Sequence, residues 1–429
     1  MTQTLKKSLE NREGTLYFDG VSTTKLAEQF DTPLYVISES RIRENYTRLR
    51  DALTCNYEKI RIYYAAKANS NLSVLKILEN EGAFIDAVSP GEVSMALATG
   101  FSAERILFTG TSVRNDELKF LLDSNVTVNV DSLSQLDRLL QITMPPVLSV
   151  RVNPKIGAGH HDHCITAGIT TKFGLWESNV LKAYAKAKKA GIERFGIHMH
   201  VGSGVINVKP FLLALDKLLS LAKKVHDEVG VSFEFVDMGG GLGVPYRPEE
   251  QELDLSLFSK KVLSLFKSKI TEYGLGEPFF CVEPGRYLVC DASILLTTVN
   301  TVKETPFKKF VGVDAGFNTL VRPTMYGSYH HVLIANKLDA TEEETYDIVG
   351  PVCESGDVLA KDRRLPKIQE GDLLAVLNAG AYGYSMSSQY NARPRAAEVL
   401  VKNSNFALIR ERESLDDLMS GQRVAECCR

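Results

Sequence analysis

The chain has 429 residues, of which 44% are hydrophobic, enough apolar material for a large core or for more than one domain. A formal net charge of −3 gives no electrostatic support for nucleic-acid binding. No apolar run approaches the ~20 residues of a membrane span, and the N-terminus has no apolar signal core. The seven cysteines lack the spacing of metal ligands, so we expect a reduced, cytoplasmic protein without nucleic-acid or membrane partners.

Eight β-prone apolar runs alternate with segments of helical periodicity in the first two thirds of the chain. The runs cover residues 60–66, 84–88, 105–108, 126–130, 147–152, 195–200, 233–237 and 279–282. The helical segments cover residues 72–80, 91–99, 115–123, 132–141, 179–190, 210–229 and 255–273. This alternation favours parallel strands and predicts an α/β fold, a (β/α)₈ TIM-type barrel over residues 38–289. A doubly wound open sheet is the alternative.

The pattern changes after residue 290, where β-prone segments are joined by loops with little helical periodicity. The segments are 294–302, 310–313, 331–335, 346–349, 373–377 and 399–401. They predict a mostly-β C-terminal domain over 290–429. Residues 1–37, with strands near 16–18 and 34–37 and a helix over 24–30, are expected to join it as a discontinuous part. Ser414 and Asp417 predict a short terminal helix with a capped start.

Polar residues or glycines follow six of the eight predicted barrel strands. Because the carboxyl ends of the strands carry the active site in this fold, we expect these residues to form one site. They are Lys67; Asp86; Arg151 with Asn153; His198 with His200; Asp237 with Gly239, Gly240 and Gly241; and Glu283 with Pro284, Gly285 and Arg286.

A lysine, a carboxylate and a glycine-rich turn at one barrel end fit pyridoxal 5′-phosphate. Lys67 ends a β-prone run behind two alanines and can bond to the cofactor aldehyde. Glu283 can keep the ring nitrogen protonated, or else can form a structural ion pair with an arginine. His200 can stack on a flat cofactor, or can be an ordinary core histidine. The glycines at 239–241 fail the dinucleotide pattern because Val244 occupies the last position, which favours a single phosphate.

Further motifs give weaker signals. His160-His161-Asp162-His163 has the composition of a ligand cluster but stands in a glycine-flanked loop, so we predict no metal site. The loop 157–174 is our prediction for a segment that closes over the substrate. In the C-terminal domain, Arg322 and Tyr326 can act together on a carboxylate, although Arg322 can also be a surface charge. Cys353 is either a small buried hydrophobe or, given its polar neighbours, a functional thiol.

The chain resembles the diaminopimelate decarboxylase family, pyridoxal-phosphate enzymes with an alanine-racemase-like barrel. The resemblance covers nearly the whole chain. Its motifs are Tyr64-Ala-Ala-Lys67-Ala-Asn69, His198-Met-His200-Val-Gly-Ser203, Glu283-Pro-Gly-Arg286, Cys353-Glu-Ser-Gly-Asp357 and Gly380-Ala-Tyr382. It implies decarboxylation of meso-2,6-diaminopimelate to L-lysine and CO₂, the last step of lysine biosynthesis.

The resemblance also implies roles for individual residues. Lys67 would bind the cofactor covalently, His200 would stack on its ring and Glu283 would pair with its nitrogen. The phosphate would be held by Ser203, Gly240, Gly241, Pro284, Gly285 and Arg286. Tyr382 would lie against cofactor and substrate, and the distal carboxylate of the substrate would be held by Arg286, Arg322 and Tyr326.

The resemblance implies a homodimer whose active sites are shared between the two chains. Glu354 would bind the distal amino group of the substrate, and Cys353 would return a proton to Cα. Both residues would come from the other chain. The alternatives are a related decarboxylase of another basic amino acid and a non-catalytic homologue that binds the cofactor. A dinucleotide-dependent oxidoreductase is disfavoured by the glycine spacing.

Overall fold

The computed structural model describes residues 8–154, 168 and 171–428. The chain forms two compact units. The barrel unit consists of Ile42–Pro245 and Glu250–Leu288, and the β unit consists of the segments up to Arg41, Tyr246–Glu249 and from Val289 onward. The range predicted for the barrel, 38–289, thus also contains two short segments that the structure groups with the β unit. Most of the predicted closing loop, 157–174, and all of the cluster 160–163 lie outside the described residues.

The secondary structure follows the predicted alternation closely. The strands are β1 (Leu9–Arg12), β2 (Thr15–Phe18), β3 (Val21–Ser22), β4 (Leu34–Ser38), β5 (Ile60–Ala65), β6 (Phe84–Ala87), β7 (Ile106–Phe108), β8 (Thr127–Val130), β9 (Leu148–Val152), β10 (Phe195–Met199), β11 (Phe233–Asp237), β12 (Phe279–Val282), β13 (Ser293–Glu304), β14 (Lys309–Val313), β15 (Val332–Ile334), β16 (Glu344–Val349), β17 (Val358–Leu365), β18 (Leu373–Val376), β19 (Ala397–Lys402) and β20 (Asn405–Arg410). The helices are α1 (Thr23–Phe30), α2 (Glu39–Thr54), α3 (Leu72–Asn80), α4 (Pro90–Ala98), α5 (Asn115–Asp123), α6 (Leu133–Ile142), α7 (Glu177–Lys189), α8 (Lys209–Val229), α9 (Leu255–Glu272), α10 (Arg286–Val289), α11 (Arg322–Tyr326) and α12 (Leu415–Met419).

Strands β5 to β12 close into a parallel barrel in chain order. The last strand pairs with the first, with Phe280 opposite Ile60 and Val282 opposite Ile62. Every residue of β9 and β10 is buried, because helices cover the outer face and side chains fill the inner one. The predicted (β/α)₈ barrel is therefore confirmed, and the open doubly wound sheet is excluded.

The helices of the barrel unit begin at capping residues close to the strand ends. Asn71, Ser89 and Ser132 each accept a backbone N–H of the first turn of α3, α4 and α6. These caps satisfy backbone donors that the helix itself leaves unbonded, and so fix where each loop ends. None of the helices in the described part of the chain combines the length and apolar character needed to cross a membrane.

The β unit is built on the long strand β13. It pairs antiparallel with β4, β14 and β18, while β4 also pairs in parallel with β19. The N-terminal strand β4 therefore lies between strands from the far end of the chain. The predicted capped helix at Ser414 is also confirmed, since Ser414 and Asp417 form a reciprocal capping box at the start of α12.

Candidate active site

Lys67 stands in a tight turn immediately after β5. The turn is closed by a hydrogen bond of 2.8 Å from the Tyr64 hydroxyl to the Asn69 carbonyl. Ala65 and Ala68 are buried, and a Cβ built at Gly285 would lie 3.1 Å from the Cβ of each. The small residues of the motif therefore allow the turn after β12 to pack directly against the turn that carries the lysine.

The amino group of Lys67 is held by a buried carboxylate from the next strand. Lys67 Nζ donates to Asp86 Oδ2, and Asp86 at the end of β6 is fully buried. Its other oxygen accepts the hydroxyl of Thr109. Lys67 keeps a third of its side chain exposed, so the amine is both oriented and accessible. The sequence analysis places Asp86 at a strand end but assigns it no role. Because β5 and β6 are neighbours in the barrel, their ends lie side by side, and this adjacency could have identified Asp86 as the partner of Lys67.

Glu283 belongs to a buried acidic and imidazole cluster at the end of β12. Its Oε1 lies 3.2 Å from His198 Nε2, and His198, Asp237 and Glu283 offer atoms that all lie within 4.8 Å of one another. The ion-pair partner of Glu283 is thus a histidine and not an arginine, contrary to the alternative raised by the sequence. By distance alone this cluster could also share a metal ion.

Electrostatics shift the pKa values of the two carboxyl groups of this cluster in opposite directions. Burial raises the pKa of Glu283, but favourable interactions with His198 and Lys67 outweigh burial and bring that pKa below its usual value. Burial, and then the charge of Glu283, raise the pKa of Asp237 well above its usual value. The surroundings therefore favour the ionised form of Glu283 and the protonated form of Asp237.

His200 is held in one orientation by the glycine-rich turn. Its Nδ1 accepts the backbone N–H of Gly240 at 3.0 Å. Burial, followed by the positive charges of Arg151 and Lys67, lowers the pKa of His200 well below its ordinary value. The ring is therefore neutral and carries its proton on Nε2. A neutral flat ring adds no positive charge beside a bound ligand.

The turn after β11 approaches its neighbours so closely that side chains are excluded. A Cβ at Gly240 would lie 2.2 Å from the Glu283 carbonyl oxygen, and one at Gly241 would lie 2.9 Å from the Gly202 carbonyl oxygen. Gly241 also has a φ of +111°, in the region that favours glycine. Nearby, Arg286 donates from Nε and Nη2 to Ser203 Oγ, at 3.3 and 3.2 Å. The turns after β10, β11 and β12 are therefore packed closely together, and they carry the glycines, the hydroxyl and the guanidinium that a phosphate site uses.

Replacing Gly240 with alanine is expected to weaken phosphate binding and to destabilise the barrel unit. The added Cβ overlaps a backbone atom that cannot rotate away, and such overpacking costs about 1–3 kcal/mol. We expect a lower melting temperature and a higher dissociation constant for pyridoxal phosphate. Gly91→Ala in α4 is the matched control, because its Cβ would meet nothing nearer than 3.7 Å. Equal melting temperatures and cofactor affinities for the two variants would contradict this prediction.

The remaining predicted site residues belong to the β unit. Arg322 begins α11 and is only 1% exposed, so the surface-charge alternative is wrong. Tyr326 ends the same helix. Tyr382 has a φ of +58°, a backbone conformation rare for a residue with a side chain. These residues were predicted to contact cofactor and substrate together with residues of the barrel unit, and that remains a prediction.

Cys353 and Glu354 are exposed, so the alternative that Cys353 is a small buried hydrophobe is wrong. The Cys353 N–H donates to Asn391 Oδ1 at 2.9 Å, and Glu354 Oε1 accepts the hydroxyl of Tyr390 at 2.8 Å. The loop that carries both predicted residues is thus fixed by the Tyr390-Asn391 pair, although its functional groups face outward.

Comparison with known proteins identifies the family. The family model described as "Pyridoxal-dependent decarboxylase, pyridoxal binding domain" matches residues 39–290. A diaminopimelate decarboxylase of Methanothermobacter thermautotrophicus is 55% identical over 415 residues, covering 96% of this chain and 97% of the relative. The chain belongs to the diaminopimelate decarboxylase family. Its predicted barrel, family and pyridoxal cofactor class are confirmed.

Other members share both sequence and structure with this chain. The Bacillus subtilis diaminopimelate decarboxylase is 34% identical and covers 96% of each chain. A crystal structure of the M. jannaschii diaminopimelate decarboxylase in complex with L-lysine superposes with a TM-score of 0.92, 34% identity and 99% coverage of both chains. The similarity to members of the family thus extends over nearly the whole chain and includes the β unit as well as the barrel unit.

The residues of the barrel unit fit pyridoxal phosphate. Within the described residues, Glu283 Oε1 is buried and lies 3.2 Å from His198 Nε2 without forming a hydrogen bond to it, so it can still accept one from a ring N–H. Lys67 presents an oriented amine, and the glycines at 240 and 241 allow the turn after β11 to pack against the neighbouring strand ends. The aldehyde, the ring nitrogen and the phosphate of the cofactor therefore each have a chemically suitable partner in the barrel unit.

Proposed function

We propose that the protein is an amino-acid carboxy-lyase that converts meso-2,6-diaminopimelate to L-lysine and CO₂ with pyridoxal phosphate, the last step of lysine biosynthesis. The observation that carries the proposal is that Lys67, Glu283 with its lowered pKa and a closely packed glycine turn all lie at one barrel end. The names of the relatives, and the L-lysine bound to the M. jannaschii protein, support the substrate.

In this mechanism the barrel unit binds and tunes the cofactor. When bound, pyridoxal phosphate supplies an electron sink for the bonding pair that CO₂ leaves behind. Lys67 would hold the cofactor covalently through Nζ, with Asp86 orienting that amine. Glu283 would pair with the ring nitrogen, and His200 would stack on the ring. The phosphate would be held by Ser203, Gly240, Gly241, Pro284, Gly285 and Arg286.

The β unit supplies substrate recognition and a proton. Arg322 and Tyr326, together with Arg286, bind the distal carboxylate, and Glu354 binds the distal amino group. Tyr382 lies against cofactor and substrate. Cys353 donates a proton to Cα after CO₂ departs, as a general acid. The buried guanidinium of Arg322 supports a substrate with a second carboxylate over a simple diamine precursor such as ornithine.

We further infer a cytoplasmic homodimer in which Cys353 and Glu354 serve the active site of the other chain. The exposure of both residues supports this arrangement, because a group that acts in a neighbouring chain must reach the surface of its own. The net charge of −3 supports the absence of nucleic-acid partners.

Replacing Cys353 with alanine is expected to lower kcat by about 10²-fold, since a positioned general acid contributes roughly 10²–10⁴-fold. The cofactor remains bound, because Cys353 is not among its proposed ligands. Cys55→Ala, which removes another exposed thiol, is the matched control and should retain full activity. Steady-state kinetics and the visible spectrum of the purified variants provide the two measurements. An unchanged kcat in Cys353→Ala would eliminate the proposed role.

The proposed function is tested by measuring CO₂ release and lysine formation from meso-diaminopimelate, with and without added pyridoxal phosphate. Lysine formed only with bound cofactor supports the proposal. CO₂ from another basic amino acid, with none from diaminopimelate, would favour a related decarboxylase. A bound cofactor without CO₂ from any of these substrates would favour a non-catalytic homologue, although Lys67 and Cys353 are both present.

A further inference from the structure

Arg322 is a buried cation that lacks an acidic partner. Its side chain is among the largest fully buried ones of the protein, at 1% exposure. Across residues 8–154, 168 and 171–428, no carboxylate forms an ion pair with it, and its side-chain hydrogen bonds go to neutral groups. A buried charge without a counter-ion is energetically costly. An unpaired buried guanidinium therefore points to an anionic ligand that neutralises it.

Three neutral groups fix the guanidinium and leave part of it unused. Nη1 donates to the Tyr246 hydroxyl at 2.8 Å and contacts His330 Nε2 at 3.0 Å, while Nη2 donates to Ser328 Oγ at 3.2 Å. A guanidinium has five N–H donors, so Nε–H and a second Nη2–H have no acceptor among the described residues. Two such donors are what one carboxylate accepts in a bidentate contact.

The hydrogen bonds of His330 define its tautomer. Its Nδ1 lies 2.9 Å from the Leu377 carbonyl oxygen, which can only accept, so Nδ1 carries the proton. Its Nε2 faces Arg322 Nη1, which can only donate, so Nε2 presents a lone pair. The ring is fully buried and packs edge-on against Tyr246, with centroids 5.4 Å apart at 83°. His330 is therefore a neutral, rigid acceptor between the backbone and the guanidinium.

Tyr246 reaches this cluster from a separate part of the chain. The segment Tyr246–Glu249 belongs to the β unit although it lies between barrel elements in sequence. The Tyr246 ring lies 4.9 Å from Arg322 Cζ, and its hydroxyl also lies 3.1 Å from the Cys290 thiol. Arg322 is thus held by a stacked ring, a hydroxyl and an imidazole, all of them uncharged.

We propose that His330, together with Tyr246, is a positioning residue that aims Arg322 at the second carboxylate of the substrate. The inference rests on the proposed function and names residues that determine its specificity for a diamino dicarboxylate. Because His330 occupies Nη1, the guanidinium can turn only its Nε and Nη2 donors to the ligand. Removing the acceptor should therefore weaken carboxylate binding while the reacting end of the substrate is unaffected.

The test compares His330→Leu, which removes both polar atoms, with His330→Gln, whose amide oxygen can still accept from Arg322. Losing one hydrogen bond to a charged group should raise KM about 10- to 100-fold in His330→Leu, with kcat nearly unchanged. His330→Gln should recover most of that loss. L-Lysine and cadaverine differ only by the carboxylate, so the inhibition constant should rise for L-lysine and stay constant for cadaverine.

A crystal structure of each variant reads the position of Arg322 directly, independently of activity. We expect an unmoved guanidinium in His330→Gln and a displaced one in His330→Leu. Wild-type protein that forms no lysine would refute the proposed function but leave this readout intact. If His330→Leu does not fold, Tyr246→Phe removes the other Nη1 acceptor and should also raise KM. Unchanged KM with an unmoved Arg322, or equal effects of the Leu and Gln variants, would overturn the inference.

Discussion

Lys67→Ala is expected to eliminate the Schiff-base absorbance of bound cofactor and to lower kcat by at least about 10³-fold, because the change removes both a covalent anchor and a proton-transfer group. The structure supports a large effect, since buried Asp86 holds Lys67 Nζ in place. A water molecule that replaces the amine could restore neither the covalent bond nor the orientation.

Two further variants separate charge from covalency. Lys67→Arg keeps a positive charge beside Asp86 but cannot form the bond, so it should lose the absorbance as Lys67→Ala does. Lys76→Ala removes an exposed lysine of α3 that pairs with Glu79 and should behave as wild type. The measurements are the visible spectrum of the purified protein and kcat with saturating cofactor. A persisting Schiff-base band in Lys67→Ala would refute the assignment.

The barrel could be predicted because its strands are buried on both faces. Such strands appear in the sequence as continuous apolar runs, and the eight predicted runs agree with β5 to β12 to within one residue at each end. Strand β17 was missed for the converse reason, because four charged residues, Lys361 to Arg364, interrupt its apolar pattern. Strand β20 was also missed, although Phe406 to Ile409 form a short apolar run.

Helix α2 was missed because charge conceals its periodicity. Its buried apolar residues are Ile42, Tyr46, Leu49 and Leu53, at helical spacing among polar and charged residues, of which Arg41 and Asn45 are also buried. A narrow apolar stripe of this kind is a valid helix signal, but it carries a low mean hydropathy. Sequence reasoning that searches for dense apolar segments therefore overlooks it.

The part of the site that could be predicted consists of residues that directly follow barrel strands. Lys67, His200 and Glu283 follow adjacent or nearby strands of a closed barrel, so their convergence follows from topology. The surroundings of Arg322 could not be predicted in that way. Tyr246 is 76 positions distant from Arg322 in sequence, and no local pattern connects it to α11. A tertiary contact between a loop and a buried side chain leaves no periodic signal.

Glu283→Gln is expected to lower kcat by about 10²–10³-fold, the usual effect of removing one preorganised electrostatic contact, while the cofactor still binds. The glutamine has the same shape, so the packing at the end of β12 is retained. What is lost is the negative charge, which the lowered pKa of Glu283 keeps in place near neutral pH. Without it, the ring nitrogen of the cofactor is no longer held in the protonated form that withdraws electrons best.

Asp237→Asn is the variant that tests the charge assignment itself. Burial and the charge of Glu283 raise the pKa of Asp237 and favour its protonated form, which asparagine resembles. Its Oδ1 can still accept the Gly239 N–H, which Asp237 accepts at 2.8 Å. We therefore expect Asp237→Asn to retain kcat to within about tenfold, a far smaller change than the loss of an ionised partner causes.

Glu277→Gln provides the control for removal of a carboxylate near β12. Glu277 is exposed and pairs with Lys59, so its loss should leave kcat unchanged, as expected for a surface ion pair. The decisive measurement is kcat of the three variants with saturating pyridoxal phosphate, alongside the affinity of each for the cofactor. If Asp237→Asn were as damaging as Glu283→Gln, the ionised member of the pair would not be Glu283 alone. Equal activity of Glu283→Gln and wild type would instead remove Glu283 from the mechanism.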